Sequence, residues 1–99
     1  DSLALAALRE GADGIVSGTA SARPELLTSL YAAFRAGRLD DAGGRQAALD
    51  AFIEDRDGSC ELSTFKALCA LRGAPVGDVR SPLTRLPVEK QAELGRLLR

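Results

Sequence analysis

Histidine, methionine and tryptophan are absent from this 99-residue sequence, and three phenylalanines and one tyrosine are all its aromatic rings. Without histidine there is no Ser/His/Asp or Cys/His nucleophile set and no imidazole ligand for a metal. Two cysteines, Cys60 and Cys69, would leave a tetrahedral zinc site half filled. They read as small apolar fillers in a reducing cytoplasm. No Gly-x-x-x-x-Gly-Lys phosphate loop occurs. Lysine appears only at Lys66 and Lys90, and the net charge of −1 implies no basic face, so nucleic acid is not expected as a partner. No apolar run reaches the length of a membrane span or of a secretory signal, so no membrane association is expected either.

What is present is alanine, leucine and a clear helical rhythm. The length allows one small domain with a thin stability margin. Residues 2–10 carry Leu3, Leu5, Ala7 and Leu8 and read as a helix ended by Gly11. Pro24-Glu25 marks a second start, with Leu26, Leu27, Leu30, Tyr31 and Phe34 at helical spacing and Gly37 as the stop. A further helix is expected from about Asp40 to Glu54, with Ala42, Leu49, Phe52 and Ile53 inward. Another carries Leu62, Phe65, Leu68 and Cys69 and stops at Gly73. Residues 74–86 read as an irregular connector. Pro87 opens a last helix with Leu94, Leu97 and Leu98 inward.

Between the first two helices lies Gly14-Ile15-Val16-Ser17-Gly18, short and β-branched, which reads as a buried strand over about residues 14–18. A lone strand cannot satisfy its own N–H and C=O groups. Its pairing partners are therefore expected outside this sequence, and the order helix, strand, helices fits the closing part of an α/β sheet or barrel. On such a strand Gly14, Val16 and Gly18 share a face. The two glycines allow either tight packing of a neighbouring element or close approach of a ligand to the backbone.

Other motifs carry less. Residues 55–59, Asp-Arg-Asp-Gly-Ser, imitate a calcium loop, but with Gly58 as the turn glycine the first ligand falls on Ile53 and the closing glutamate on Thr64. They read as a polar turn, and no metal is expected. Lys66, beside Phe65 on an amphipathic helix, and Lys90, in a charged first turn, read as surface lysines rather than amine nucleophiles.

Taken in order, Asp1-Ser2-Leu3, Gly11-Ala12-Asp13-Gly14-Ile15-Val16-Ser17-Gly18-Thr19-Ala20, Pro24-Glu25, Leu30-Tyr31-Ala32-Ala33, Phe65-Lys66-Ala67-Leu68 and Arg80-Ser81-Pro82-Leu83-Thr84 resemble the dihydrodipicolinate synthase/N-acetylneuraminate lyase family over the whole chain. The resemblance implies an α/β protein, a C-terminal fragment of a (β/α)8 TIM barrel. Residues 1–37 would be the last βα units and residues 38–99 a C-terminal helical extension. It implies part of a class I, Schiff-base lyase or aldolase that joins or splits pyruvate, or another 2-oxo acid, and an aldehyde, in a cytoplasmic homo-oligomer, commonly a tetramer, with no cofactor. The catalytic lysine and tyrosine of the family match positions upstream of Asp1, so no catalytic residue is expected in this segment.

By the same resemblance Asp1, Val16 and Gly18 would bind substrate. Asp1 matches an aspartate at the mouth of the seventh strand, Val16 an aliphatic pocket residue, and Gly18 a position that some members fill with serine. Gly18 and Ser2 depart from the pattern of the sialic-acid cleavers. Ala20-Ser21 lacks the asparagine common after the eighth strand. The alternative is a non-enzymatic helical interaction module that buries residues 14–18 against a partner.

Overall fold

Three helices of this protein end in the same backbone motif, set by glycine. The computed structural model describes residues 1–56 and 62–99. Gly11, Gly37 and Gly73 have φ of 103°, 77° and 86°, a region that a side chain strains. Each N–H reaches back three residues, to Leu8, Phe34 and Ala70, while the N–H of the next residue reaches back five, to Ala7, Ala33 and Cys69. Orphan carbonyls at the helix ends are thereby satisfied.

The helices are α1 (Ala4–Arg9), α2 (Gly18–Ala22), α3 (Pro24–Arg35), α4 (Leu39–Asp55), α5 (Leu62–Leu71) and α6 (Val88–Leu94), followed by a 3-10 turn at Gly95–Leu98. Pro24 opens α3, with Glu25 in its first turn and Arg35 in its last, matching the helix dipole at both ends. Asp40 and Asp41 do the same at the start of α4.

Among the described residues there is no strand. The expected α/β barrel fragment is therefore corrected: these residues form a helical bundle. The reason lies in the hydrogen bonds. Residues 14–17 have no neighbouring strand to pair with, and Ser17, extended at φ −137° and ψ 129°, turns its hydroxyl to accept the Ala20 N–H at 3.1 Å. That bond makes Ser17 a helix cap and starts α2 at Gly18, where a strand end was expected. The expected calcium-loop mimic at residues 55–59 and the buried-cysteine reading of Cys60 lie, for Asp57 to Cys60, outside the described residues.

Two apolar clusters hold the bundle. Ala4, Leu8, Leu27, Leu30 and Leu49 join α1, α3 and α4, with Ile15 against them. Ala22, Phe52, Phe65, Leu68 and Leu94 join α2, α4, α5 and α6. Leu26 touches both, and α4 gives Leu49 to one and Phe52 to the other. The radius of gyration, 14.4 Å, exceeds the roughly 13 Å of an average chain near this length. Two small cores in series account for the elongation.

The junction of α2 and α3 is pinned by charge. The Glu25 carboxylate accepts from Arg23 Nε at 2.6 Å and from Arg72 Nη1 at 2.9 Å. Arg72 Nη1 also donates to the Ala22 carbonyl at 2.6 Å, and Arg23 Nη1 donates to the Leu97 carbonyl at 2.9 Å. Burial by itself would raise the pKa of Glu25. The Arg72 hydrogen bond, its own backbone N–H and Arg23 outweigh this and bring it down to about 2.

Two outcomes follow from this packing. Leu49 is fully buried, so Leu49→Ala should cost about 3 kcal/mol in urea unfolding. A loss under about 1 kcal/mol would contradict a core built on α3 and α4. A lowered carboxylate pKa stabilises the fold above the unfolded-state value and loses that contribution as pH falls. Glu25→Gln should therefore cost about 1 kcal/mol near neutral pH, a surface-pair magnitude because the carboxylate is nearly half exposed. The gap from the unsubstituted protein should close as the solution is acidified from 4.5 towards 2. A gap that persists at the acid end would contradict the ion-paired assignment.

Candidate functional site

The backbone between α1 and α2 is one of two stretches, with the connector at residues 75–86, where this bundle leaves a run of chain without backbone pairing among its described residues. The N–H groups of residues 14–17 donate to no described residue. An added Cβ at Gly14 would meet nothing within 4 Å, and Val16 is completely exposed. Ile15 points the other way and packs against the cluster around Leu27, Leu30 and Leu49. The strip is held at its ends as well: Tyr31 Oη donates to the Asp13 carbonyl at 3.3 Å, and Ser17 caps α2. It is thus a tethered, non-helical strip, extended at Ser17, with inward and outward sides, unclaimed backbone donors and one exposed β-branched side chain.

The expected site residues occupy different surroundings. Asp1 lies beside α2: its carboxylate accepts from Thr19 Oγ1 at 2.5 Å, and its carbonyl accepts from Gln46 Nε2 at 3.2 Å. Gln46 Oε1 accepts the Leu5 N–H at 2.9 Å, so one α4 side chain fixes the N-terminal turn. Gly18 is exposed, but an added Cβ there would stand 2.8 Å from the Phe65 ring. Val16 faces solvent. Asp1 and Gly18 are therefore neighbours through Thr19, and Val16 faces solvent away from them.

Thr19, fully buried, is the residue that sequence reasoning passed over; Phe65 was read as an apolar-face residue, but not as a neighbour of Gly18. A signal for α2 was present: Ser17, a favoured cap residue, precedes a short run of small residues.

The Schiff-base lyase or aldolase reading is corrected together with the barrel. Without a sheet among the described residues there is no strand mouth at which Asp1, Val16 and Gly18 could converge. No lysine joins them: Lys66 Nζ donates to the Val76 carbonyl at 3.2 Å, and Lys90 lies on α6. Among the described residues no group of three or more Cys, Asp or Glu side chains is placed to hold a metal ion. No described helix is long and apolar enough to cross a membrane. Cys69 donates its thiol to the Ser21 carbonyl at 3.3 Å and ties α5 to α2.

A cavity of about 570 Å³ opens elsewhere, between the end of α4, the start of α5 and α6. Asp55, Arg56, Lys90, Glu93 and Leu94 are among its walls. Its lining carries both signs of charge and includes none of Asp1, Val16 and Gly18.

The open strip has a measurable signature. Amide hydrogens of residues 14–17 should exchange with solvent at nearly unprotected rates while those around Leu30 and Leu49 are protected. Val16→Thr should change unfolding stability by under about 0.5 kcal/mol, as for an exposed site. Strong protection at Val16, or a larger loss, would mean that the strip is covered in the free protein.

The model of the dihydrodipicolinate synthetase family matches residues 1–99. An uncharacterized DapA-like lyase of Halobacterium salinarum is 34% identical over 94 residues, covering 95% of this chain and 31% of that protein. A 4-hydroxy-tetrahydrodipicolinate synthase of Methanosphaerula palustris is 30% identical over 98 residues, covering 99% of this chain and 34% of the synthase. A 2-dehydro-3-deoxy-D-gluconate/2-dehydro-3-deoxy-phosphogluconate aldolase of Thermoproteus tenax is 30% identical over 95 residues, 95% of this chain and 31% of the aldolase. No solved structure matches the chain. The chain spans about a third of the length of these curated relatives. A match along its whole length places this chain in the dihydrodipicolinate synthetase family.

Proposed function

We propose that this segment is a helical interaction module, and that residues 14–17 are the surface by which it docks on a folded partner. The observation that carries this is the run of unclaimed N–H groups beside a completely exposed Val16. An extended backbone with free donors is suited to the edge of a sheet, where main-chain bonds supply affinity and alternate side chains supply specificity. Ile15 stays with the helices while Val16 is presented outward, which is the alternation such an addition needs.

The relatives supply a candidate partner surface. In them the matched stretch belongs to a chain about three times as long. Two thirds of such a chain are available to cover what is open here. The rest of the Methanosphaerula palustris synthase, produced without its matched stretch, is therefore a suitable probe.

A module of this kind must first fold alone, so the 99-residue chain should melt cooperatively. It should then bind the probe, and exchange at residues 14–17 should slow in the complex. Val16→Asp should weaken binding at least tenfold, a like amount to burying a charge poorly in an apolar contact. Failure to bind a probe that circular dichroism shows to be folded, or binding with residues 14–17 still unprotected, would remove the proposal.

A further inference from the structure

The docking strip joins the bundle at Gly18, and Gly18 is the one described glycine with neighbours where a side chain would stand. A Cβ there would lie 2.8 Å from Phe65 Cε2 and 3.0 Å from Cζ, closer than carbon atoms tolerate. The ring edge therefore abuts the first residue of α2 directly.

A surface phenylalanine could swing aside at little cost, but Phe65 is hemmed in. It is buried among Ala22, Phe52, Leu68 and Leu94. The Arg56 guanidinium stands 4.7 Å from its ring centroid and 5.6 Å from that of Phe52, and Arg23 stands 5.2 Å from Phe52. Phe65 is thus part of a stack of rings and guanidinium groups whose members fix one another. Forcing extra volume into such a site displaces backbone or drives side chains off their preferred rotamers.

We propose that Phe65 is the positioning residue of the docking strip. Its ring sets where α2 can begin, and so sets the direction in which residues 14–17 leave the bundle. The cap bond from the Ala20 N–H to Ser17 Oγ, 3.1 Å long, carries the constraint from α2 into the strip. At the far side Tyr31 holds the Asp13 carbonyl and Ile15 packs on the first cluster, while Gly14 between them and the exposed Val16 have room to move. The consequence for binding rests on the docking role proposed above; the consequence for the strip's direction does not.

The experiment compares Gly18→Ala, Phe65→Leu and the double variant. Backbone amide resonances are read in the free protein, and affinity is read with the truncated synthase probe. Gly18→Ala should move the resonances of residues 14–17 and leave those around Leu49 in place. It should weaken probe binding roughly tenfold, equivalent to about 1.4 kcal/mol. Adding Phe65→Leu removes the ring edge and should restore part of both.

Unmoved resonances at 14–17 in Gly18→Ala would overturn the proposal. So would a double variant that melts cooperatively and is no closer to the parent than Gly18→Ala. Should Gly18→Ala not fold, Phe65→Leu alone decides. It should shift the same four amides with the helical circular dichroism spectrum retained, and no shift there overturns the proposal. If the resonances respond as expected while the parent protein does not bind the probe, the positioning role stands and the docking role fails.

Discussion

The arrangement of this bundle depends on the carboxylate of Glu25. It sits in the first turn of α3, directly after the break between α2 and α3, and is gripped by Arg23 and Arg72. Arg72 brings α5 to the junction and caps the Ala22 carbonyl, and Arg23 reaches the Leu97 carbonyl at the other end of the chain. One carboxylate and its two arginines thereby link α2, α3, the end of α5 and the C-terminal turn. Alanine-rich helices with few aromatic rings offer little shape by which to choose one docking angle over another. Arginine forks bonded to backbone carbonyls supply a direction that apolar contact does not, since hydrophobic burial is nearly orientation-blind.

Charge and rings then work together in the second core. Arg23 and Arg56 lie over Phe52, and Arg56 also lies over Phe65. An arginine that stacks on a ring keeps its apolar stem packed while its charge is still attracted to the ring face. Two of the three phenylalanines, Phe52 and Phe65, thus do more than their area alone would suggest. The same stack brings Phe65 against Gly18, so ring packing in the core and the exit of the exposed strip are coupled through one missing side chain.

Helices were legible in the sequence because each signals its own limits. Gly11, Gly37 and Gly73 mark three ends with positive φ, Pro24 marks a start, and the apolar spacing names Leu27, Leu30, Leu49, Phe52, Phe65 and Leu68, all buried. The strand was misread because β-branched composition reports a preference that only a neighbour can satisfy. Ile15 and Val16 favour extended backbone, but a ladder needs a second strand. The site was legible only as a set of positions. That Asp1 would be held by Thr19 and Gln46, or that Gly18 would meet Phe65, involves residues far apart in the chain and leaves no local trace.

Family membership and local structure answer different questions here, which is why the chain can belong to the dihydrodipicolinate synthetase family without showing a sheet. Similarity along the sequence records the surroundings in which each residue has been kept. The structure of a segment records which of those surroundings the segment can provide for itself. A helix closes its hydrogen bonds within its own length, so all six helices persist among the described residues. An extended strip closes none of them, so it stays open until another backbone arrives. The elements present are those that are locally self-sufficient. Residues 14–17, which the sequence pattern marks as a strand, accordingly keep N–H groups that no described residue accepts.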